Sequence, residues 1–141
     1  MGIDKASMVF EGKTLLERAV DFCRSSCTQI IVSSNSEKHN IEGIQRVTDE
    51  FPDCGPLGGI YSCLKHSVHD WNFVLSIDSP FVEPDFLTFL ITHTNKYDAV
   101  IPVHKTGNEP LIALYHRKIL PLLQLQIVEG NYKMQITIEK I

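Results

Sequence analysis

No stretch of these 141 residues is apolar for long enough to cross a bilayer, and the first residues lack the basic-then-apolar pattern of a secretory signal. Positive charge is scarce. Thirteen Lys and Arg face 17 Asp and Glu, a formal net charge of −4, and no local Lys/Arg cluster offsets it. That balance excludes phosphate-backbone binding to nucleic acid as the organising function. The four cysteines, Cys23, Cys27, Cys54 and Cys63, have no metal-ligand spacing. Cys23 and Cys27 share one face of a helical pattern and are expected to pack there. Nothing calls for disulfides, so the cytosol is the expected compartment. Six histidines are scattered, and the one close pair, His66 and His69, is not assigned a metal. The chain also lacks internal repeats, low-complexity tracts and linkers, which leaves a single domain.

What is present is an ordinary globular composition, 43% hydrophobic and 21% charged, in a chain long enough to enclose a core. Apolar residues recur at helical spacing from Thr14 to Ser25, with Thr14 and Glu17 placed as a capping box. Gln29–Val32 and Ile44–Val47 read as strands that end in polar residues. The glycine- and proline-rich segment Pro52–Gly59 reads as a loop leading into a helix from about Ile60 to His69. A strand over Phe73–Ile77, a helix over Pro84–Thr94, strands over Ala99–Val103 and Leu111–Tyr115, and a helix over Lys118–Val128 follow. Asn131–Ile141 is ambiguous between helix and strand. This alternation predicts an α/β fold, a mostly parallel sheet flanked by helices, with its polar strand tips gathered along one edge. A βα fold normally opens on a central strand, and none precedes the first helix here.

Phe73-Val74-Leu75-Ser76-Ile77-Asp78-Ser79-Pro80 is the most informative segment. It is a short apolar strand that stops at a carboxylate. Open α/β sheets place their ligand crevice at such carboxyl ends, and an unpaired buried carboxylate is too costly to be explained by packing. The structural alternative is an Asx-turn at a strand end.

Several segments, taken in order, resemble the molybdenum cofactor guanylyltransferase family, within the Rossmann-like nucleotide-diphospho-sugar transferase architecture. Met1-Gly2-Ile3-Asp4-Lys5 resembles the end of that family's N-terminal signature, and Glu11-Gly12-Lys13 keeps its Gly-Lys dipeptide. Asp49 followed by Gly55-Pro56-Leu57-Gly58-Gly59 is similar to its Asp and Gly-Pro-Leu-x-Gly. Ser76-Ile77-Asp78-Ser79-Pro80-Phe81 resembles its metal-binding Asp-x-Pro-Phe, and Glu109–Tyr115 its substrate-side strand. Two parts of the family pattern are not found: the glycine-rich phosphate loop with its strand before Met1, and an Asn-Thr-Pro-Glu segment after Ile141. Ser33 stands where some relatives carry an asparagine.

The resemblance implies transfer of GMP from GTP to the phosphate of a molybdopterin-type cofactor, with Mg²⁺ as cofactor and pyrophosphate released. It implies Asp78 as metal ligand and catalytic residue, and Lys5 and Asp49, with Asp78, on the nucleotide. Gly55, Pro56, Leu57 and Gly58 fall on the substrate, Glu109 on the acceptor side, and Lys133 near an acceptor phosphate. Neither nucleic acid nor membrane is implied as a partner; cofactor-delivery proteins are. A CTP- or sugar-phosphate-specific relative stays open as an alternative, as does an inactive remnant that only binds. With a central strand missing, the sheet is expected to be truncated at both ends, and the chain by itself unstable or aggregating.

Overall fold

The computed structural model describes residues 2–141. The 3-10 turn Lys5–Ser7 leads into a hairpin of β1 (Val9–Phe10) and β2 (Lys13–Thr14). Its turn residues Glu11 and Gly12 have φ of 50° and 82°, the left-handed pair that a tight hairpin demands. Helix α1 (Leu15–Arg24) follows, and the expected capping box is there. The Thr14 hydroxyl accepts from the Glu17 N–H at 3.1 Å, and the Glu17 carboxylate accepts from the Thr14 N–H at 2.8 Å. Next come β3 (Ile31–Ser33), the 3-10 turn Glu37–His39, β4 (Gln45–Val47), α2 (Gly55–His66) and β5 (Trp71–Leu75). Helix α3 (Pro84–Ile91), β6 (Ala99–Val100), the ribbon of β7 (Val103–His104) and β8 (Gly107–Asn108), β9 (Ile112–His116), α4 (Leu120–Val128) and α5 (Met134–Ile138) complete the chain.

Three features differ from the sequence reading or settle it. A small hairpin, β1–β2, stands before the first helix, where no strand was expected; among the described residues its strands pair only with each other, outside the main sheet. The glycine-rich segment is no loop beyond Cys54. It is the first turn of α2, with Gly55 in a left-handed conformation (φ 57°) and a proline in the first helical turn. The ambiguous C-terminal segment resolves as helix because Met134 and Thr137, one turn apart, are both buried.

Strand pairing follows from the connections. β3 and β4 pair in parallel, with Val32 opposite Arg46. β9 lies between β5 and β6 and runs antiparallel to both, because a hairpin ribbon separates β6 from β9 and reverses the chain. β5 and β6 therefore run the same way, joined by the α3 crossover. Parallel order, expected for most of the sheet, is found in the β3–β4 ladder and in the shared direction of β5 and β6, with β9 antiparallel between them.

The core lies on two faces. Leu57, Ile60, Tyr61 and Leu64 of α2 pack with Ala113 and Tyr115 of β9 and with Leu123 and Ile127 of α4. Leu87 and Leu90 of α3 cover Leu114, Trp71 and Phe73 on the other face. A third cluster joins Ala6, Leu16 and Val20 to Ile30, Val32 and Ile77. Among the described residues, β3 pairs only with β4, and β5 only with β9. The free edges of β3 and β5 border one cavity of about 1020 Å³, walled by Leu16, Val20 and Cys23 of α1 and by Ile60 and Cys63 of α2. This break falls where the sequence reading lacks a central strand.

Candidate active site

Five short segments converge at the polar end of that cavity. β5 supplies the first. Beyond Leu75 the chain turns as the Ser76 carbonyl accepts from the Ser79 N–H (3.1 Å) and the Ser76 hydroxyl from the Asp78 N–H (3.3 Å). The Asp78 carboxylate is thereby turned outward, and its side chain is 54% exposed. The second segment is the 3-10 turn, whose Lys5 ammonium donates to Asp78 Oδ2 at 3.2 Å across 73 positions of sequence. The structure therefore joins Lys5 and Asp78, two residues the sequence reading assigned to one site.

The third and fourth segments are the ends of β3 and β4. The Ser33 hydroxyl donates to Asp49 Oδ1 at 2.6 Å, and the Asp49 N–H donates to Asn35 Oδ1 at 3.0 Å. The fifth is the first turn of α2. A Cβ at Gly59 would sit 2.9 Å from Ser33 Oγ and 3.6 Å from Asp49 Oδ1, and one at Gly58 would sit 2.9 Å from the Phe51 carbonyl. Both glycines are there because the helix backbone passes against this pair. Cys54, at the N-cap, makes no side-chain cap, and Pro56 carries no N–H, so the first turn of α2 brings the Gly55 N–H to the cavity that Gly55 and Pro56 line.

Not every expected residue reaches the cavity. Lys5, Asp49, Gly55 and Pro56 line it, with Asp78 beside them through Lys5. Leu57 is completely buried in the core, so its side chain packs rather than touching a ligand, and Gly58 is buried beneath Phe51. Glu109 and Lys133 lie outside the cavity lining. Pro110 is held by the Tyr115 hydroxyl at 2.7 Å. His66 and His69 turn to separate partners, the Ser62 carbonyl and the Thr28 hydroxyl. Sequence reasoning missed the link of Asp4 to His39, 35 positions away at 3.0 Å, and of His39 to Ser34 at 2.6 Å. No periodicity signals such contacts.

For a metal, the described residues offer no cluster of three His, Cys, Asp or Glu side chains. That rules out an all-protein cage in this region. A single outward carboxylate suits a small divalent cation that keeps waters and shares its remaining positions with phosphate oxygens, as Mg²⁺ does.

Comparisons with known proteins place the family and the fold. The family model described as "MobA-like NTP transferase domain" matches residues 1–139. The chain belongs to that family. A MobA-like domain is a nucleotidyltransferase, and its α/β fold is the one found here. The chain is 30% identical over 142 residues to the "Probable molybdenum cofactor guanylyltransferase" of Flavobacterium johnsoniae, covering 100% of this chain and 75% of that protein. It is 28% identical over 131 residues to the protein of the same name from Clostridium perfringens, covering 93% of this chain and 66% of the relative. The crystal structure of molybdopterin-guanine dinucleotide biosynthesis protein A from Archaeoglobus fulgidus superposes with a TM-score of 0.81 at 28% identity, over 99% of this chain and 72% of that one. This MobA-like chain thus spans two-thirds to three-quarters of the length of these relatives.

Proposed function

We propose that this MobA-like domain transfers GMP from GTP to the phosphate of a molybdopterin-type cofactor and releases pyrophosphate. The observation that carries the reading is the Lys5–Asp78 pair at the mouth of the cavity, beside the Ser33–Asp49 pair and the uncapped start of α2. Names of the relatives in Flavobacterium and Archaeoglobus support the choice of base and acceptor.

The physical problem is attack of one phosphate anion on another. Charge must be neutralised and the attacking oxygen aligned with the leaving pyrophosphate. Lys5 and Asp78 are suited to part company for this. Both are more than half exposed, so their mutual attraction is worth about 0–1 kcal/mol and is easily exchanged for stronger partners. Lys5 then places a compact positive charge on the triphosphate. Asp78 would hold Mg²⁺, which when bound supplies charge neutralisation at phosphate oxygens. Asp49, fixed by Ser33 and Asn35, presents a carboxylate to base or ribose N–H and O–H donors. The uncapped start of α2 presents the Gly55 N–H and the positive end of the helix to an anion where Gly55 and Pro56 meet the cavity. Four unpaired cysteine thiols fit a cytosolic setting, and a labile pterin substrate would be handed over by a delivery protein.

Calorimetric titration with GTP and with CTP, each with and without MgCl₂, tests the reading. Mg²⁺-dependent preference for GTP is expected. Equal affinity for both nucleotides, or binding of neither, counts against it.

A further inference from the structure

Polar ties to the body of the protein flank Lys5 on both sides. On its C-terminal side the Met8 carbonyl accepts from the Leu15 N–H at 2.9 Å. Beside buried Ala6, which packs on α1, the side-chain tie on its N-terminal side among the described residues is made by His39. Its Nε2 donates to the Asp4 carboxylate, 3.0 and 3.1 Å from the two oxygens, and its Nδ1 stands 2.6 Å from Ser34 Oγ. Asp4 caps the turn that carries Lys5, accepting from the Ala6 N–H at 3.1 Å and the Ser7 hydroxyl at 2.6 Å. Ser34 is equally well fixed. Its N–H donates to the Val47 carbonyl at 2.9 Å, and its carbonyl accepts from the Arg46 guanidinium at 2.7 Å.

The carboxylate fixes the polarity at one end of this bracket. An ionised carboxylate only accepts, so Nε2 carries the hydrogen. At the other end Nδ1 meets the Ser34 hydroxyl, as acceptor in a neutral ring and as donor in an imidazolium, whose Ser34 O–H would turn to the Ser36 carbonyl at 3.5 Å; in either case Ser34 Oγ accepts from the Ser36 N–H at 3.1 Å. Each polar hydrogen in the row has a use. The His39 side chain is only 16% exposed, unlike Lys5 and Asp78, so its geometry is held by the protein rather than by water.

We propose that His39 is a positioning residue for Lys5: by bracing Asp4 against the end of β3, it holds the Lys5 ammonium at the triphosphate site. The inference rests on the nucleotide reading of Lys5. It identifies a working role for a histidine that touches neither Lys5 nor Asp78, and it makes the 3-10 turn Glu37–His39 part of the site's frame.

A double-mutant cycle combined with amide exchange tests it on the full chain. His39→Phe removes both contacts and is expected to weaken Mg-GTP binding about tenfold, the worth of a hydrogen bond to a charged group. It should also speed exchange of the Ser7 and Met8 amides, which close the turn around Lys5. His39→Gln, which keeps a donor for Asp4, should recover most of the affinity. In a Lys5→Met background, His39→Phe should cost nothing further. An equal loss from His39→Phe with and without Lys5 would make His39 a mere stabiliser of the fold and overturn the proposal. Unchanged exchange at Ser7 and Met8 would overturn it as well. A wild-type protein that binds no nucleoside triphosphate refutes the nucleotide reading instead, and the exchange result then decides the brace by itself.

Discussion

Replacing Gly59 by alanine separates stability from binding. The added Cβ would lie 2.9 Å from Ser33 Oγ and 3.4 Å from Ser33 Cβ. The second distance is ordinary contact, so only the hydroxyl must move, and moving it breaks the 2.6 Å bond to Asp49. Loss of that bond costs about 1 kcal/mol, and alanine's better helix propensity returns about 1 kcal/mol in α2. Net stability should therefore change by less than about 1 kcal/mol. Nucleotide affinity should fall about tenfold, because Asp49 loses the donor that aims it. Gly58→Ala makes the opposite prediction. Its Cβ would meet the Phe51 carbonyl at 2.9 Å and Cys54 Cβ at 3.2 Å, neither of which can rotate away. Overpacking of about 1–3 kcal/mol then exceeds the helix gain, and stability falls more than in Gly59→Ala. Urea unfolding and nucleotide titration of both variants, with Ser33→Ala added to Gly59→Ala, form the assay. In the Ser33→Ala background, adding the Gly59 methyl should cost no further affinity. Full affinity in Gly59→Ala with Ser33 intact, or a more stable Gly58→Ala, would refute the reasoning.

Other expectations follow from the cavity, the thiols and the Asp4 carboxylate. A peptide of about six residues, apolar on both faces as strands between two helix layers are, should fill the cavity between β3 and β5. It should add about 2.7 kcal/mol of stability at a hundredfold excess over its Kd; absence of any shift in Tm would show that the cavity does not accept a strand. Hydrogen bonding from Cys23 pulls the Cys27 thiol down to about 7, whereas burial, with the Asp49 charge, pushes Cys63 up to about 12. Iodoacetamide at pH 8 should thus modify Cys27 well before Cys63, and mass spectrometry of the peptides reads the order. The Asp4 carboxyl is held down to about 2, from an ordinary 3.8, by the Ser7 hydroxyl first and His39 second. A depressed folded value means that this tie stabilises fully above pH 4 and is lost as pH falls towards 2; carbon NMR of the Asp4 carboxyl should show that midpoint.

Some of this was legible in the chain and some was not. The capping box of Thr14 and Glu17 was visible because capping is local, and the position of Asp78 just past a strand because its apolar run is short and stops at polar turn residues, although its carboxylate is exposed rather than buried. The edges of β3 and β5, unpaired among the described residues, match the expectation that a central strand is missing, which came from the polar residues that lead to the first helix. The start of α2 was misread because three glycines and two prolines within eight residues suggest a loop. Its helix forms because Leu57 and Ile60 are drawn into the core, which outweighs propensity. Antiparallel β9 was hidden because β7 and β8, two residues each, are too short to show a pattern. The bracket of Asp4, His39 and Ser34 depends on contacts across 35 positions that only the folded chain makes.

The central claim is that Asp78 holds the cation that accompanies a nucleoside triphosphate. Asp78→Asn keeps the shape of the side chain, removes its charge, and sits where exposure should keep the stability change within about 0.5 kcal/mol. Calorimetric titration of GTP into this variant, with and without MgCl₂, is the most direct measurement. The account expects a folded protein whose GTP affinity no longer responds to Mg²⁺; a response equal to that of the wild type would contradict it.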